Sequence, residues 1–273
     1  MNRYLLTEAA KGTALGLALA LPVSLAAIYG TPAQAVVESP LVSGHRAAAG
    51  VPGIPEQSIQ AVQYAGRSGA TYVEVDARWT RDGYVVVLHD NTLDRTTNCT
   101  GPVEAITFAQ LRKCADWRTV PALSNVYRYA NMHGMAVNVE VKRTTKAFTG
   151  GQARQLLRRA ATAGQSSRTI LSSFHAPLLE TVKAQPGGKS PRYALITSQP
   201  VTPAAVKRTG NISMASLATL TPAQVKAMRA AGVQTWAWTA TTRAHYAQGV
   251  NLGVDVIVAD DVAAAKDYVR SAQ

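Results

Sequence analysis

The sequence predicts an α/β fold closed into a barrel, and three observations carry that expectation. Short runs rich in valine and isoleucine alternate with amphipathic stretches along almost the whole chain, as parallel strands joined by crossover helices do. Eight of these runs can be parallel, which is the count of a TIM-type (β/α)8 barrel. A ninth follows an Asp82-Gly83 turn. That link is too short for a parallel crossover, so the ninth run is an antiparallel hairpin return strand after the second barrel strand.

Taken in order, residues 1–35 read as an export signal. Arg3 and Lys11 give a positive start, 13–28 is apolar, and "TPAQA" ends in the small-x-small pattern of a cleavage site after Ala35. An uncleaved membrane anchor is the alternative, but the run is short for a span and Pro22 and Ser24 interrupt it. The expected product is a secreted, monomeric single domain over 36–273, with no linker and no second apolar span.

The first strand, "LVSGH" (41–45), ends at His45-Arg46. The helix "PEQSIQAVQYAGRSG" follows, with Pro at its start and Gly at its end. Next comes the hairpin of "YVEVD" (72–76) and "VVVLH" (85–89). With Asp82-Gly83 as a two-residue turn, Arg81 faces Tyr84 and His89 lies opposite Asp76. Glu74 shares their face by the period of two. A three-residue turn would shift that register by one.

Cys99 and Cys114 come next. In an exported chain they are expected to form a disulfide, pinning the loop between Asp90 and Trp117. The remaining strands are "AVNVEV" (136–141), "TILSS" (169–173), "YALIT" (193–197), "ISMASL" (212–217), "TWAWT" (235–239) and "VDVIVA" (254–259). "TPAQVKAMRAAG" is a clear helix among them.

The carboxyl ends of parallel barrel strands share one face, where chemistry sits. Glu74, Asp76 and Glu140 should therefore converge. Three clustered carboxylates repel each other unless a cation holds them, and hard oxygen ligands suit one divalent ion, Ca²⁺ or Mg²⁺. A structural ion-pair network with Arg46 and Lys142 fits the same residues. His45 and His89, aimed at this cluster, suit general acid–base work. Arg46 and Lys142 could then bind a phosphate.

The formal charge of +12 draws the protein to polyanions such as lipid headgroups or wall polymers. Contact with a membrane or cell wall would be peripheral. Scarce aromatics and the lack of zinc spacing argue against nucleic acid as a partner. His133 reads as a helix end and His245 as exposed on a late helix, while His175 follows "SSF" and could reach the site mouth, with a structural role the expected one. Asn211-Ile212-Ser213 fits a glycosylation sequon or a plain strand start.

The chain resembles the glycerophosphodiester phosphodiesterases. The pieces that carry the resemblance are "GHR" (44–46), "PEQS" (55–58), "EVD" (74–76), "DGYVVVLHDNTLDRTTN" (82–98), "VEVK" (139–142), "SSF" (172–174), "WAWT" (236–239) and "GVDVIVAD" (253–260), in the family's order. The resemblance implies metal-dependent hydrolysis of glycerophosphodiesters to glycerol 3-phosphate and an alcohol. The substrate would be a small deacylated phospholipid or an anionic polymer such as glycerol-phosphate teichoic acid.

By position, Glu74, Asp76 and Glu140 match metal ligands, and His45 and His89 match the general acid and base. Arg46 and Lys142 match phosphate-binding cations, Glu56 an acid near the site, and Phe174 and Trp238 its walls. Gln57-Ser58 departs from the usual Asn-Thr, and Ala259-Asp260-Asp261-Val262 departs from the usual final motif. Two rivals remain open: a phospholipase D-like enzyme on intact lipid, and a non-catalytic binder of wall polymer. Glycoside hydrolysis needs two opposed carboxylates and leaves both histidines without a role.

Overall fold

The computed structural model describes residues 39–272. The export signal expected over 1–35 lies outside the described residues. Nine strands are found there: β1 (Leu41–Gly44), β2 (Tyr72–Trp79), β3 (Val85–Val87), β4 (Ala136–Val141), β5 (Ile170–Ser173), β6 (Arg192–Thr197), β7 (Ile212–Ser216), β8 (Gln234–Ala240) and β9 (Val256–Ala259). The helices are α1 (Ile59–Arg67), α2 (Phe108–Cys114), α3 (Leu123–Met132), α4 (Gly150–Thr162), α5 (Ala176–Lys183), α6 (Pro203–Thr209), α7 (Pro222–Ala230), α8 (Arg243–Leu252) and α9 (Val262–Ser271). No described helix is long and apolar enough to cross a membrane.

All strands except β3 pair in parallel, and the β1–β2 pairing closes them into an eight-stranded barrel. The alternation of residues along each strand divides the core. Val73, Val75, Val137 and Val139 are fully buried in one large cluster with the inward stripes of the helices, such as Ala61, Val62 and Ala65 of α1 and Leu123, Val126 and Ala130 of α3. A separate cluster of Ile170, Ile196, Ile212, Met214, Trp236, Val256 and Val258 occupies the opposite strand faces. Glu74, Asp76 and Glu140 have the parity of that second set.

The hairpin differs from expectation by one residue. Ala77 pairs with Val87, Arg78 with Val86 and Trp79 with Val85, and the Leu88 N–H donates to the Asp76 carbonyl. Asp76 therefore faces Leu88, not His89. The turn has three residues, Arg81 to Gly83, closed by the Thr80 N–H to Tyr84 carbonyl bond at 3.0 Å. A two-residue type I′ turn needs positive φ at both central positions, and here only Gly83, at +83°, adopts it. The ladder stops at Val87, so His89 is placed by the chain beyond it.

That chain, from Asp90 to Trp117, carries a small core of its own. Val86, Leu88, Leu93, Val103, Leu111 and Val120 pack with Cys99, and the Cys99–Cys114 disulfide ties the loop to α2. The first helix also differs from expectation. It starts at Ile59 with Ser58 as N-cap, because Gln57 at φ +64° cannot be helical. Pro55-Glu56-Gln57 is left as a turn.

Candidate active site

The site grows from the end of β1. Arg46 and Ala47 take left-handed φ values of 43° and 64°, a tight reversal that folds the chain back on Gly44. A Cβ at Gly44 would stand 2.2 Å from the Ala47 carbonyl oxygen, so only glycine fits. The reversal aims the Arg46 N–H at Glu74 Oε2, 2.6 Å away. Gln57, in its own left-handed turn, binds Asp76 twice: its Nε2 donates to Oδ2, and its Oε1 accepts from the Asp76 N–H. Gln57, set apart in the sequence only as a departure from the motif the chain resembles, is thus the residue that orients Asp76.

Parallel pairing of β2 with β4 sets Asp76 beside Glu140. Glu74, Asp76 and Glu140 each offer an oxygen within 4.8 Å of the others. Glu74 and Asp76 are buried. Burial first, then repulsion from Asp76 and Glu140, drives the Glu74 carboxyl well above the usual range. The same two causes push Glu140 up to about 7. Lys142 Nζ lies 2.8 Å from both Asp76 Oδ1 and Glu140 Oε1. Burial pulls its ammonium down, but the two carboxylates outweigh this and hold it above its ordinary value.

One lysine against three acids leaves the cluster short of positive charge. Lys142 reaches Asp76 and Glu140 but forms no ion pair with Glu74. Buried, mutually repelling carboxylates that outnumber their cation fit a hard divalent ion.

Both histidines reach the same pocket, lined also by Arg46, Lys142, Phe174, Met214 and Trp238. Each is held through Nδ1 by a carboxylate: His45 by Asp260 at 2.6 Å and His89 by Asp90 at 2.8 Å. A carboxylate on Nδ1 holds the proton there and leaves Nε2 free. Burial lowers the His89 pKa, against the pull of Asp76 and Asp90. Arg95 donates to Asp90 at 2.6 Å and to Glu56 at 2.5 Å, and Glu56 pairs with Arg46 at 3.2 Å. Arg46, Glu56, Arg95 and Asp90 thus form one chain of alternating charge that ends on His89.

Every residue expected at the site is accounted for. Nine line one pocket, namely His45, Arg46, Glu74, Asp76, His89, Glu140, Lys142, Phe174 and Trp238, and Glu56 stands behind Arg46. Phe174 packs edge-on against Trp238, 5.5 Å between ring centres. The structural ion-pair reading is met for Lys142, whereas Arg46 pairs with Glu56 instead of the cluster. His133 caps α3 and Asn211 is exposed just ahead of β7. His175 caps α5, exposed and outside the pocket lining. His245 is half-buried on α8, not fully exposed, with Nδ1 against Thr241. Sequence reasoning gave no role to Asp90, Arg95 or Asp260. Asp90 is signalled by adjacency to His89, but Asp260 lies 215 residues from its partner.

The profile of the glycerophosphoryl diester phosphodiesterase family matches residues 45–264. The chain belongs to that family. It is 28% identical over 230 residues to the glycerophosphodiester phosphodiesterase of Caldanaerobacter subterraneus subsp. tengcongensis, covering 80% of this chain and 93% of that one. Two solved structures share its fold, each with a TM-score of 0.77 at 21% identity. One is a putative glycerophosphoryl diester phosphodiesterase from Silicibacter pomeroyi, with 85% of this chain and 94% of that one covered. The other is a phosphodiesterase from Oleispira antarctica in complex with the product sn-glycerol-3-phosphate, with 85% and 97% covered. The expected family, enzyme class and barrel are therefore all met.

Proposed function

We propose that the chain is an exported phosphodiesterase that cleaves glycerophosphodiesters to glycerol 3-phosphate and an alcohol. The observation that carries this reading is the meeting of two His–Asp pairs and three buried carboxylates in one pocket. The product held by the Oleispira neighbour supports glycerol phosphate as the retained half. Glu74, Asp76 and Glu140 would hold a divalent cation, which would supply positive charge to offset that of the phosphoryl group.

Arg46 and Lys142 bind the remaining phosphate charge, with Arg46 kept in place by Glu56. One imidazole accepts through Nε2 the proton of the attacking hydroxyl, from water or the adjacent glycerol group. The other imidazole, protonated, gives its proton to the leaving alcohol as the P–O bond breaks. Attack by the glycerol hydroxyl gives a cyclic phosphate that water then opens. The pocket, about 160 Å³, suits the glycerophosphoryl end. The leaving group then extends past Phe174, which is 43% exposed. Export by residues 1–35 and the basic charge favour an extracellular substrate.

The test is product analysis on glycerophosphocholine and on polyglycerol phosphate, with EDTA and with Ca²⁺ or Mg²⁺ restored. Glycerol 3-phosphate formed only with the cation supports the reading. Release of choline phosphate, or turnover of intact phospholipid alone, contradicts it.

A further inference from the structure

The charge of the chain is unevenly divided. From Trp117 to Val254 there are 17 Lys and Arg but only two acids, Glu140 and Glu180, which leaves 11 Lys and Arg against 14 Asp and Glu elsewhere. Glu140 is inside the pocket, so Glu180 is the one acid of this stretch outside the site. The stretch builds β4 to β8 and α3 to α8, successive neighbours around the barrel. Segregation along the sequence is therefore largely segregation in space, with two acids reaching in from outside: Asp82, which lines a cleft with Arg158 and Arg159, and Glu104, which accepts from Thr145.

Helix electrostatics does not account for it. The macrodipole favours cations in the last turn, which several of these helices have, but it equally favours acids in the first. None of α3 to α8 carries an acid there.

α4 carries three of these cations, more than any other helix of the stretch. Arg154 and Arg158 are exposed on its outer side, Arg159 is half-buried, and Arg128 of α3 is exposed beside it. Among the described residues none of the four joins an ion pair. They border three clefts along the helix, of about 320, 390 and 380 Å³. Arg143 and Lys146, both exposed, continue the charge along the loop from Lys142 to α4. Arg154 donates to Gln185, but guanidinium groups without an acidic partner in concave walls, leading away from the pocket rim, match a chain of phosphates.

We propose that the outer face of α4, with Arg128, Arg154, Arg158 and Arg159, is a docking surface for a flexible anionic polymer with phosphodiester links. The polymer lies along the helix and its free end reaches the pocket over Arg143 and Lys146. A membrane surface fits less well. Of the exposed large apolar side chains among the described residues, Leu41, Tyr84, Trp117, Met132 and Phe174, only Tyr84 lines one of the three clefts and none stands on α4, so no apolar stripe accompanies the arginines for insertion. The docking step itself is independent of the chemistry; its benefit to turnover rests on the proposed phosphodiesterase activity.

The test uses the mature chain and the variant Arg154→Gln/Arg158→Gln/Arg159→Gln. Binding to fluorescent polyglycerol phosphate is measured at low and physiological salt, and glycerophosphocholine turnover is read in parallel. We expect the triple variant to bind the polymer about 10–100-fold more weakly with a shallower salt dependence, and to turn over glycerophosphocholine as the wild type does. Lys207→Gln/Arg208→Gln on α6 removes charge away from the clefts and should weaken binding far less. If the triple variant does not fold, Arg158→Gln alone carries the same test against Lys207→Gln. Unchanged binding by the α4 variants, or an equal loss per charge from the α6 variant, overturns the proposal. So does a wild type that binds phosphatidylglycerol vesicles and not the polymer. Failure of the activity reading would show separately, as absent turnover of glycerophosphocholine.

Discussion

Single side chains decide the chemistry, and their positions were legible to different degrees. Glu74, Asp76 and Glu140 were readable because a carboxylate inside a valine run has to be compensated, and strand alternation fixes which face it takes. The partners of the histidines were not, since a contact between His45 and Asp260 leaves no local pattern. If the two imidazoles exchange protons with substrate, His45→Ala and His89→Ala should each lower kcat by about 10²–10⁴-fold, with the melting temperature nearly unchanged. Asp260→Asn should keep the bond to Nδ1 but lose its charge. We expect a smaller loss of kcat than in His45→Ala. A fully active His45→Ala, measured with glycerophosphocholine, would end the role given to it.

At the scale of elements, the strands and helices followed from hydrophobic period and turn residues, while register did not. Local sequence does not tell a two-residue turn from the three-residue turn that Gly83 makes here, and a shift of one re-aims the whole return strand. His89 reaches the pocket all the same, because the ladder ends before it and the disulfide-pinned loop sets its course. That loop brings Arg95 between Asp90 and Glu56. Opening the 15-residue Cys99–Cys114 closure with Cys99→Ser/Cys114→Ser should cost about 3 kcal/mol in chain entropy, measured by urea unfolding. Arg95→Lys should not replace arginine, since one ammonium lacks the fork that grips two carboxylates at once. The expected result is a raised KM together with a lowered kcat, and an unchanged pair would show that the bridge is structural only.

Across the whole molecule, the barrel concentrates unfavourable charge in its own interior, and this sets how stability responds to pH. Glu74 and Glu140 have folded pKa values raised above the unfolded value of 4.5, Glu140 to about 7. Between those values the folded state binds more protons than the unfolded one. The contribution of these two glutamates to stability therefore falls as pH rises from about 4.5 to 7, opposed in part by His89, whose lowered pKa favours the folded state as pH rises toward 6.5. Asp90, held below the usual carboxylate range by its bond to Arg95, works the other way: its contribution is present above the unfolded pKa and is lost as pH falls through its depressed value. For the chelated protein we expect the melting temperature to decline from pH 5 to pH 7. Saturating Ca²⁺ or Mg²⁺, which binds the ionised carboxylates, should remove the decline. A flat profile without the cation would show that Lys142 alone compensates the cluster.

The most direct test of that cluster is calorimetric titration of the EDTA-stripped chain with Ca²⁺ and with Mg²⁺, beside the Glu74→Gln variant. The account predicts one strong site per chain for at least one of the two ions, lost in the variant. Heat that matches the buffer blank for both ions, or equal binding by wild type and variant, would contradict it.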